Sequence, residues 1–182
     1  CPEMNWGTME KQFVPVLEQG EFSSFIESCV ETARRSETHK VYPPEIPDLF
    51  ALYSRVRNEK SVAILEIGSG WSTLVLLKAL EENRISHGKW VAENIRHPNP
   101  YSLLTVDCSE FFQNIACNRL APHLGETKVI PRISNVQMTT IQGQACHLFT
   151  EIPPFTADFI YLDGPDCDQV AGSTNGMTVN FG

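Results

Sequence analysis

Apolar side chains recur at helical spacing in the first third of the chain. Between residues 21 and 36, several of them form one stripe along a helix: Phe22, Phe25, Ile26, Cys29, Val30 and Ala33. Residues 41–47 then hold three prolines, which favour a turn or an extended connector. A second helix is expected over 47–57, with Pro47 in its first turn. Residues 1–58 should therefore form a helical extension ahead of a second unit at 59–182.

From residue 61 onward, short apolar runs alternate with helical patterns. Four segments have the composition of strands: 61–68, 102–107, 126–134 (weaker and interrupted by Pro131) and 157–164. Helices are expected at 71–83 and at 109–120, with Ser109 as N-cap. The polar stretch 84–101 is expected to be an inserted loop that could contain a short helix of its own. Residues 136–150 are ambiguous, since "VQMTTI" fits an extra strand with a turn at "QGQ". The alternation predicts an open, mainly parallel α/β sheet with right-handed crossovers.

Composition narrows the possible partners. The chain has 182 residues, of which 42% are hydrophobic and 20% charged, so one globular core is expected. Its net charge of −8 disfavours nucleic acid or an anionic membrane as the main partner. No apolar run of about 18 residues is present, so no membrane span is expected. The six cysteines form no C-x-x-C pair or zinc pattern, and Cys29 and Cys117 are expected to be small buried residues. A reducing, cytoplasmic compartment fits this pattern. Because the first residue is Cys1, a processed, trimmed or incomplete chain is expected.

The stretch "LEIGSGWST" (65–73) stands at the end of the first expected strand. Gly68 and Gly70 allow a tight turn there and a close approach of a ligand, and the following helix is expected to offer free N–H groups. A dinucleotide fingerprint would place glycine where Thr73 stands. Glu66 would repel a pyrophosphate but would suit a cationic ligand. The alternative is a simple strand-to-helix bend.

Three segments together carry a family resemblance. "ILEIGSG", "LLTVD" and "DFIYLDG" resemble the landmarks of class I S-adenosylmethionine-dependent methyltransferases, over about residues 60–166, with Ser72 in place of the third motif glycine. The resemblance implies a Rossmann-like sheet with strand order 3-2-1-4 visible. The C-terminal strands of that family are then expected to be missing, and truncation of a longer protein is the favoured explanation.

The resemblance also implies a cofactor and the residues that hold it. The cofactor would be S-adenosylmethionine, with S-adenosylhomocysteine as product. The residues expected to bind it are Glu66, Gly68, Ser69, Gly70, Ser72, Thr73 and Asp107. Asp107 would accept hydrogen bonds from both ribose hydroxyls, although it could instead be an N-cap or first-turn acid of the next helix. The adenine would lie near Gly143 or Gln144.

Asp163 closes the expected strand 157–164 and is the candidate catalytic residue. It could position a nucleophile, act as general base or contribute to a divalent metal site, to which Asp166 and Asp168 would add carboxylates. No metal pair can be argued, so no metal is expected. The alternative is that "DGPD" forms a turn in which Asp163 bonds its own backbone.

The expected function is methyl transfer to a small-molecule acceptor, with the N-terminal helices capping the site. The alternatives are an NAD(P)-binding oxidoreductase-type domain and a non-catalytic methyltransferase-like interaction module. Strand 157–164 is too apolar for a solvent-exposed edge, so "MTVNFG" or a second subunit in a homo-oligomer could cover it if the chain is not truncated.

Overall fold

The computed structural model of the chain describes residues 14–36 and 42–164. Within them, the helices are α1 (Gln19–Ser36), α2 (Ile46–Glu59), α3 (Trp71–Asn94) and α4 (Glu110–Leu120), the last followed by a 3-10 turn at Ala121–His123. The strands are β1 (Ala63–Ile67), β2 (Ser102–Asp107), β3 (Lys128–Ile133), β4 (Val136–Ile141), β5 (Gln144–Phe149) and β6 (Phe159–Leu162). Cys1, Asp166, Cys167, Asp168 and the segment "MTVNFG" lie outside the described residues.

Four strands form one parallel sheet in the order β3-β2-β1-β6. This confirms the predicted open α/β sheet and its strand order, with β6 as the fourth parallel strand. Strands β4 and β5 form a separate antiparallel hairpin. Its turn residues Gln142 and Gly143 both have positive φ, at 51° and 83°, as tight hairpin turns require. The expected strand at "VQMTTI" is therefore confirmed, and residues 144–149 are its partner.

The register of the sheet determines where the acidic residues point. Glu66 on β1 lies opposite Thr105 on β2 and Tyr161 on β6. Side chains alternate along a strand, so Asp107 and Asp163, each two residues further on, belong to the same face as Glu66. Three carboxylates on three neighbouring strands therefore meet at one rim of the sheet.

The main core lies between this face of the sheet and the helices. Helices α1, α2 and α3 bury their apolar stripes against it, and the largest fully buried side chains include Tyr53, Phe22, Ile26, Ile64, Leu74 and Leu103. On the opposite face, Ile67, Leu104 and Val106 are buried, with Phe149 and Phe155 packed against them. Helices thus cover one face of the sheet, and the packed strands hold the residues of the rim in place.

A buried polar network fixes α3 against α2. The Arg57 side chain lies 3.2 Å from the Glu82 carboxylate and donates to Asn83 Oδ1 at 2.6 Å. Tyr53 donates to Glu82 Oε2 at 2.5 Å, and Lys78 pairs with the other carboxylate oxygen at 2.8 Å. Because buried charges are costly unless paired, each member depends on the others. The network anchors the helix that begins at the rim.

Helix α3 continues well beyond its predicted end at residue 83, and the expected loop over 84–101 is wrong for its first half. Tertiary contacts account for the difference: Arg84 pairs with Glu81 and Glu126, and Ser86 accepts a hydrogen bond from the Val14 amide at 2.9 Å. Val91 is buried in the core. The helix ends ahead of Pro98 and Pro100.

One edge strand and two cysteines also differ from expectation. Pro131 does not interrupt β3, because β3 lies at an edge of the described sheet and proline is tolerated there. Strand β6 forms the other edge of that sheet, where Ile160 and Leu162 are 62% and 57% exposed. Cys29 and Cys117 are partly rather than fully buried. In the ranges 14–36 and 42–164, no helix has the length and apolar character that a bilayer span needs.

Candidate functional site

The turn between β1 and α3 has a strict requirement for glycine at position 68. Gly68 has φ +93°, and a Cβ there would lie 2.8 Å from the backbone of Asp163 and Gly164. The end of β6 thus packs directly on this turn, and Asp163 N donates to Ile67 O at 2.7 Å. Gly70 is different, since a Cβ there would meet only Ser72 Oγ at 4.0 Å. One glycine is needed for packing, whereas the other is not.

The backbone amides of the turn are already satisfied. Gly68 N donates to Val106 O at 2.7 Å, Ser69 N to Asp107 Oδ2 at 2.7 Å, and Gly70 N to Thr73 Oγ1 at 3.0 Å. The free N–H groups predicted at the start of the following helix belong to α3 itself and stay a prediction. An anionic phosphate at this turn would need donors other than the amides of residues 68–70.

Asp107 is buried and faces this turn. Its residue exposure is 6%, its Oδ2 accepts from both the amide and the hydroxyl of Ser69, at 2.7 and 2.5 Å, and its Oδ1 accepts from Ser109 N at 2.7 Å. Ser109 itself caps α4 as predicted, its Oγ accepting from Phe112 N at 3.3 Å. Asp107 thus holds both the turn between β1 and α3, through Ser69, and the start of α4, through Ser109.

Glu66 is fully buried beneath the turn. A hydrogen bond of 2.6 Å joins its Oε1 to Ser72 Oγ, whereas its Oε2 has no partner at hydrogen-bonding geometry in the described part of the chain. Burial raises the pKa of Glu66 to about 7. The nearby hydroxyls of Ser72, Thr73 and Thr105 lower the pKa less than burial raises it, and the charge of Asp163 raises it further.

Ser72 links two carboxylates through one hydroxyl. Its Oγ lies 2.6 Å from Glu66 Oε1 and 3.1 Å from Asp163 Oδ2. A serine hydroxyl has a single proton to donate, so both contacts are hydrogen bonds only when one carboxyl carries a proton of its own. The neutral form of Glu66, favoured by its burial, supplies that proton. Glu66, Ser72 and Asp163 therefore act as one coupled unit.

The residues predicted to form the site fall into two groups around the turn. Ser69 joins Asp107 on the β2 side, and Ser72 joins Glu66 and Asp163 on the β6 side, whereas the Thr73 hydroxyl supports the turn internally. The side chain of Asp163 is exposed. Among residues 14–36 and 42–164, no group of three or more His, Cys, Asp or Glu is arranged to hold a metal ion.

One residue at the rim was missed by the sequence reasoning, and the two residues predicted near the adenine lie in the β4–β5 hairpin. Thr105, buried beside Glu66, could have been found from period-two spacing, since it precedes Asp107 by two positions. Gly143 and Gln144 lie at the tip of the β4–β5 hairpin. Their assignment to the adenine pocket stays a prediction.

Trp71, the first residue of α3, contacts the helical layer. Arg119 lies over its ring at 3.8 Å, and its indole N–H donates to Tyr42 O at 3.2 Å. It lines a cavity of about 240 Å³ together with Cys29 of α1, Arg119 of α4 and His123 of the 3-10 turn. Trp71 therefore packs beside the first helix.

Comparison with known proteins adds limited information. No protein-family model matches the sequence, and no curated protein does. Similar solved structures include an O-methyltransferase from Bacillus cereus in complex with SAH (22% identity, 60% of this chain, 43% of that chain, TM-score 0.39). They also include the O-methyltransferase TomG from Streptomyces achromogenes, involved in tomaymycin synthesis, in complex with SAM (20% identity, 64% of this chain, 52% of that chain, TM-score 0.40). The chain spans about half the length of these two proteins.

Proposed function

We propose that this chain binds S-adenosylmethionine at the rim formed by β1, β2 and β6, and that it takes part in methyl transfer to a small-molecule acceptor. One observation carries the proposal. The rim presents three carboxylates, while the amides of the Gly68–Gly70 turn donate internally. A rim rich in acceptors suits a ligand with an ammonium group, a sulfonium charge and ribose hydroxyls.

The two groups of residues suit different parts of this ligand. In this proposal Asp107 accepts from the ribose, and buried Glu66 with Ser72 supports the side of the site that receives the ammonium of the amino-acid part. Gly68 keeps the backbone of the turn close to the end of β6. Ser69, Gly70 and Thr73 complete the wall of the site. The cofactor, when bound, supplies an electrophilic methyl group whose bonding electrons stay with sulfur as the acceptor's lone pair forms the new bond.

Asp163 is the residue that we assign to the acceptor. Its side chain is exposed at the end of β6, while Ser72 connects it to buried Glu66. In this position the carboxylate can take the proton that an O–H or N–H acceptor loses on methylation. The chain otherwise contributes orientation, which accounts for much of the rate in a two-reactant displacement.

Dinucleotide binding is the main competing function. A pyrophosphate placed at this turn would lie against Asp107 and Asp163 and would find the amides of residues 68–70 occupied. The geometry therefore favours the methyl-donor site over a nicotinamide one. A methyltransferase-like module without turnover would bind the same cofactor, so an assay of turnover on a pool of small acceptors separates it from an enzyme.

A calorimetric titration tests the proposal. S-adenosylhomocysteine should bind the wild-type chain, NAD(H) should not, and Asp107→Ala should weaken S-adenosylhomocysteine binding about tenfold or more, as the loss of charge-assisted hydrogen bonds implies. Asp107→Asn keeps the shape of the side chain and guards against a folding defect in the alanine variant. Binding of NAD(H) in place of S-adenosylhomocysteine, or equal affinity in all three proteins, would remove the assignment.

A further inference from the structure

The hydrogen bonds of Asp107 leave little capacity for a ligand. A carboxylate has about four acceptor positions, two on each oxygen. In this chain Oδ2 already accepts from Ser69 N and Ser69 Oγ, and Oδ1 accepts from Ser109 N. Counting donors from residues 14–36 and 42–164, Asp107 has one position left, on Oδ1, whereas two neighbouring ribose hydroxyls would need one on each oxygen.

Of the three donors, only one is free to leave. The amides of Ser69 and Ser109 belong to the backbone of the turn and of the α4 start, and both are held by the strands on either side. The Ser69 hydroxyl sits on a side chain that is only partly buried, and it can rotate away about one bond. Its contact with Asp107 Oδ2, at 2.5 Å, is a hydrogen bond to a charged group.

We propose that the Ser69 hydroxyl is an internal competitor of the ligand: it occupies the acceptor position on Asp107 that a ribose hydroxyl would take, and it must rotate out before a ribose can bind through both hydroxyls. The inference rests on the proposed function, and it assigns to Ser69 control over affinity for the ribose rather than a direct contact with it. The Ser69–Asp107 contact then stabilises the empty protein and opposes binding of the nucleoside.

Loss of the Ser69 hydroxyl should lower the stability of the empty protein but raise its affinity for the ligand. These opposite signs distinguish the proposed role from a purely structural one. In Ser69→Ala the backbone amide at position 69 still donates to Oδ2, but the hydroxyl is gone. The empty variant should be less stable than wild type, because a hydrogen bond to a buried carboxylate is lost. Its affinity for S-adenosylhomocysteine should nevertheless rise about fivefold or more, because the acceptor position is free. Damage to the turn alone would lower both quantities.

The test uses calorimetry on the full chain with two ligands and a matched control. The ligands are S-adenosylhomocysteine and its 2′,3′-dideoxy analogue, which has no ribose hydroxyls. Ser69→Ala should bind S-adenosylhomocysteine more tightly than wild type does. The two proteins should bind the dideoxy analogue with the same affinity. The control is Ser102→Ala, at the end of β2 opposite to Asp107. It removes a buried hydroxyl that donates to Asn99 O at 2.8 Å. The affinities of this variant for both ligands should match those of wild type.

Each result has one meaning. Unchanged or weaker S-adenosylhomocysteine binding by Ser69→Ala, with normal binding by wild type, would overturn the competitor role and leave the proposed function standing. An equal gain for the dideoxy analogue would also overturn it, because the gain would not come from the ribose hydroxyls. Absence of S-adenosylhomocysteine binding to every protein would overturn both the proposed function and this inference.

Discussion

Replacing Glu66 by glutamine should make the protein more stable at neutral pH. The side chain is fully buried, and burial raises the pKa of Glu66 to about 7 from the ordinary value of 4.5. Glutamine has nearly the same shape and keeps an oxygen that can accept from Ser72 Oγ. It also carries no charge at any pH, so it mimics the protonated form permanently.

The sign of the pH dependence follows from proton binding to Glu66 in the folded and unfolded states. Between pH 4.5 and 7 the folded chain holds a proton on Glu66 that the unfolded chain releases, so the free energy of unfolding falls as pH rises through this window. The shift from 4.5 to about 7 corresponds to a loss on the order of 3 kcal/mol by pH 8. This is a substantial part of the total stability of a domain of this size.

Urea denaturation measured between pH 5 and pH 8 checks the prediction. Wild type and Glu66→Gln should have similar unfolding free energies at pH 5, and the variant should be more stable by on the order of 3 kcal/mol at pH 8. Other titrating groups, including His87 and His123, act equally in both proteins and cancel in the difference. Parallel curves over the whole range would show that the carboxyl is charged at neutral pH and would refute the reasoning.

The control removes an acid of the same type from the surface. Glu59 pairs with Arg55 one helical turn away, at 2.8 Å, and both side chains are well exposed. Glu59→Gln changes the net charge by the same amount, but an exposed pair contributes little to stability, about 0.5 kcal/mol or less. Its difference from wild type should therefore not vary with pH over this range.

Two further substitutions test the turn and the loop that leads to β3. Gly68→Ala should lower the free energy of unfolding by about 2 kcal/mol or more, because position 68 has a positive φ and the new Cβ would lie 2.8 Å from backbone atoms. Gly70→Ala should be tolerated. Equal effects of the two substitutions in thermal denaturation would contradict this. Hydrogen bonds from Arg84, and secondarily from Thr127, lower the pKa of Glu81 to about 2. The stability that Glu81 adds is thus present above pH 4.5 and lost as pH falls toward 2. The difference in unfolding free energy between wild type and Glu81→Gln should therefore shrink to zero over that interval. A constant difference in urea unfolding would contradict this.

Local signals were sufficient for the strands and for the turn. Strand β2 begins and ends at the predicted residues, and Ser109 caps α4, because both depend on composition and on side chains only a few positions apart. The second half of α3 could not be read in this way. Its polar composition and Gly88 are typical of a loop, and it is held as a helix by contacts with Val14 and Glu126, distant in sequence.

The site shows the same division. Sequence order predicted that acids at the ends of parallel strands share one rim, and the register agrees. The hydrogen bonds that decide what the rim can accept were beyond such reasoning. The contact between Ser69 and Asp107 joins residues 38 positions apart, and the link from Ser72 to Asp163 spans 91. Such contacts depend on rotamers and burial, which no spacing pattern encodes.

The two edges of the parallel sheet differ in their ability to accept a new neighbour. On β3, Pro131 lacks an amide proton, and Lys128 and Arg132 would place charge against an incoming strand. Strand β6, with the sequence FIYL, has neither proline nor charge. Growth of the sheet is therefore directional: an added strand, from whatever source, pairs on the β6 side, and there it would come to lie next to Asp163.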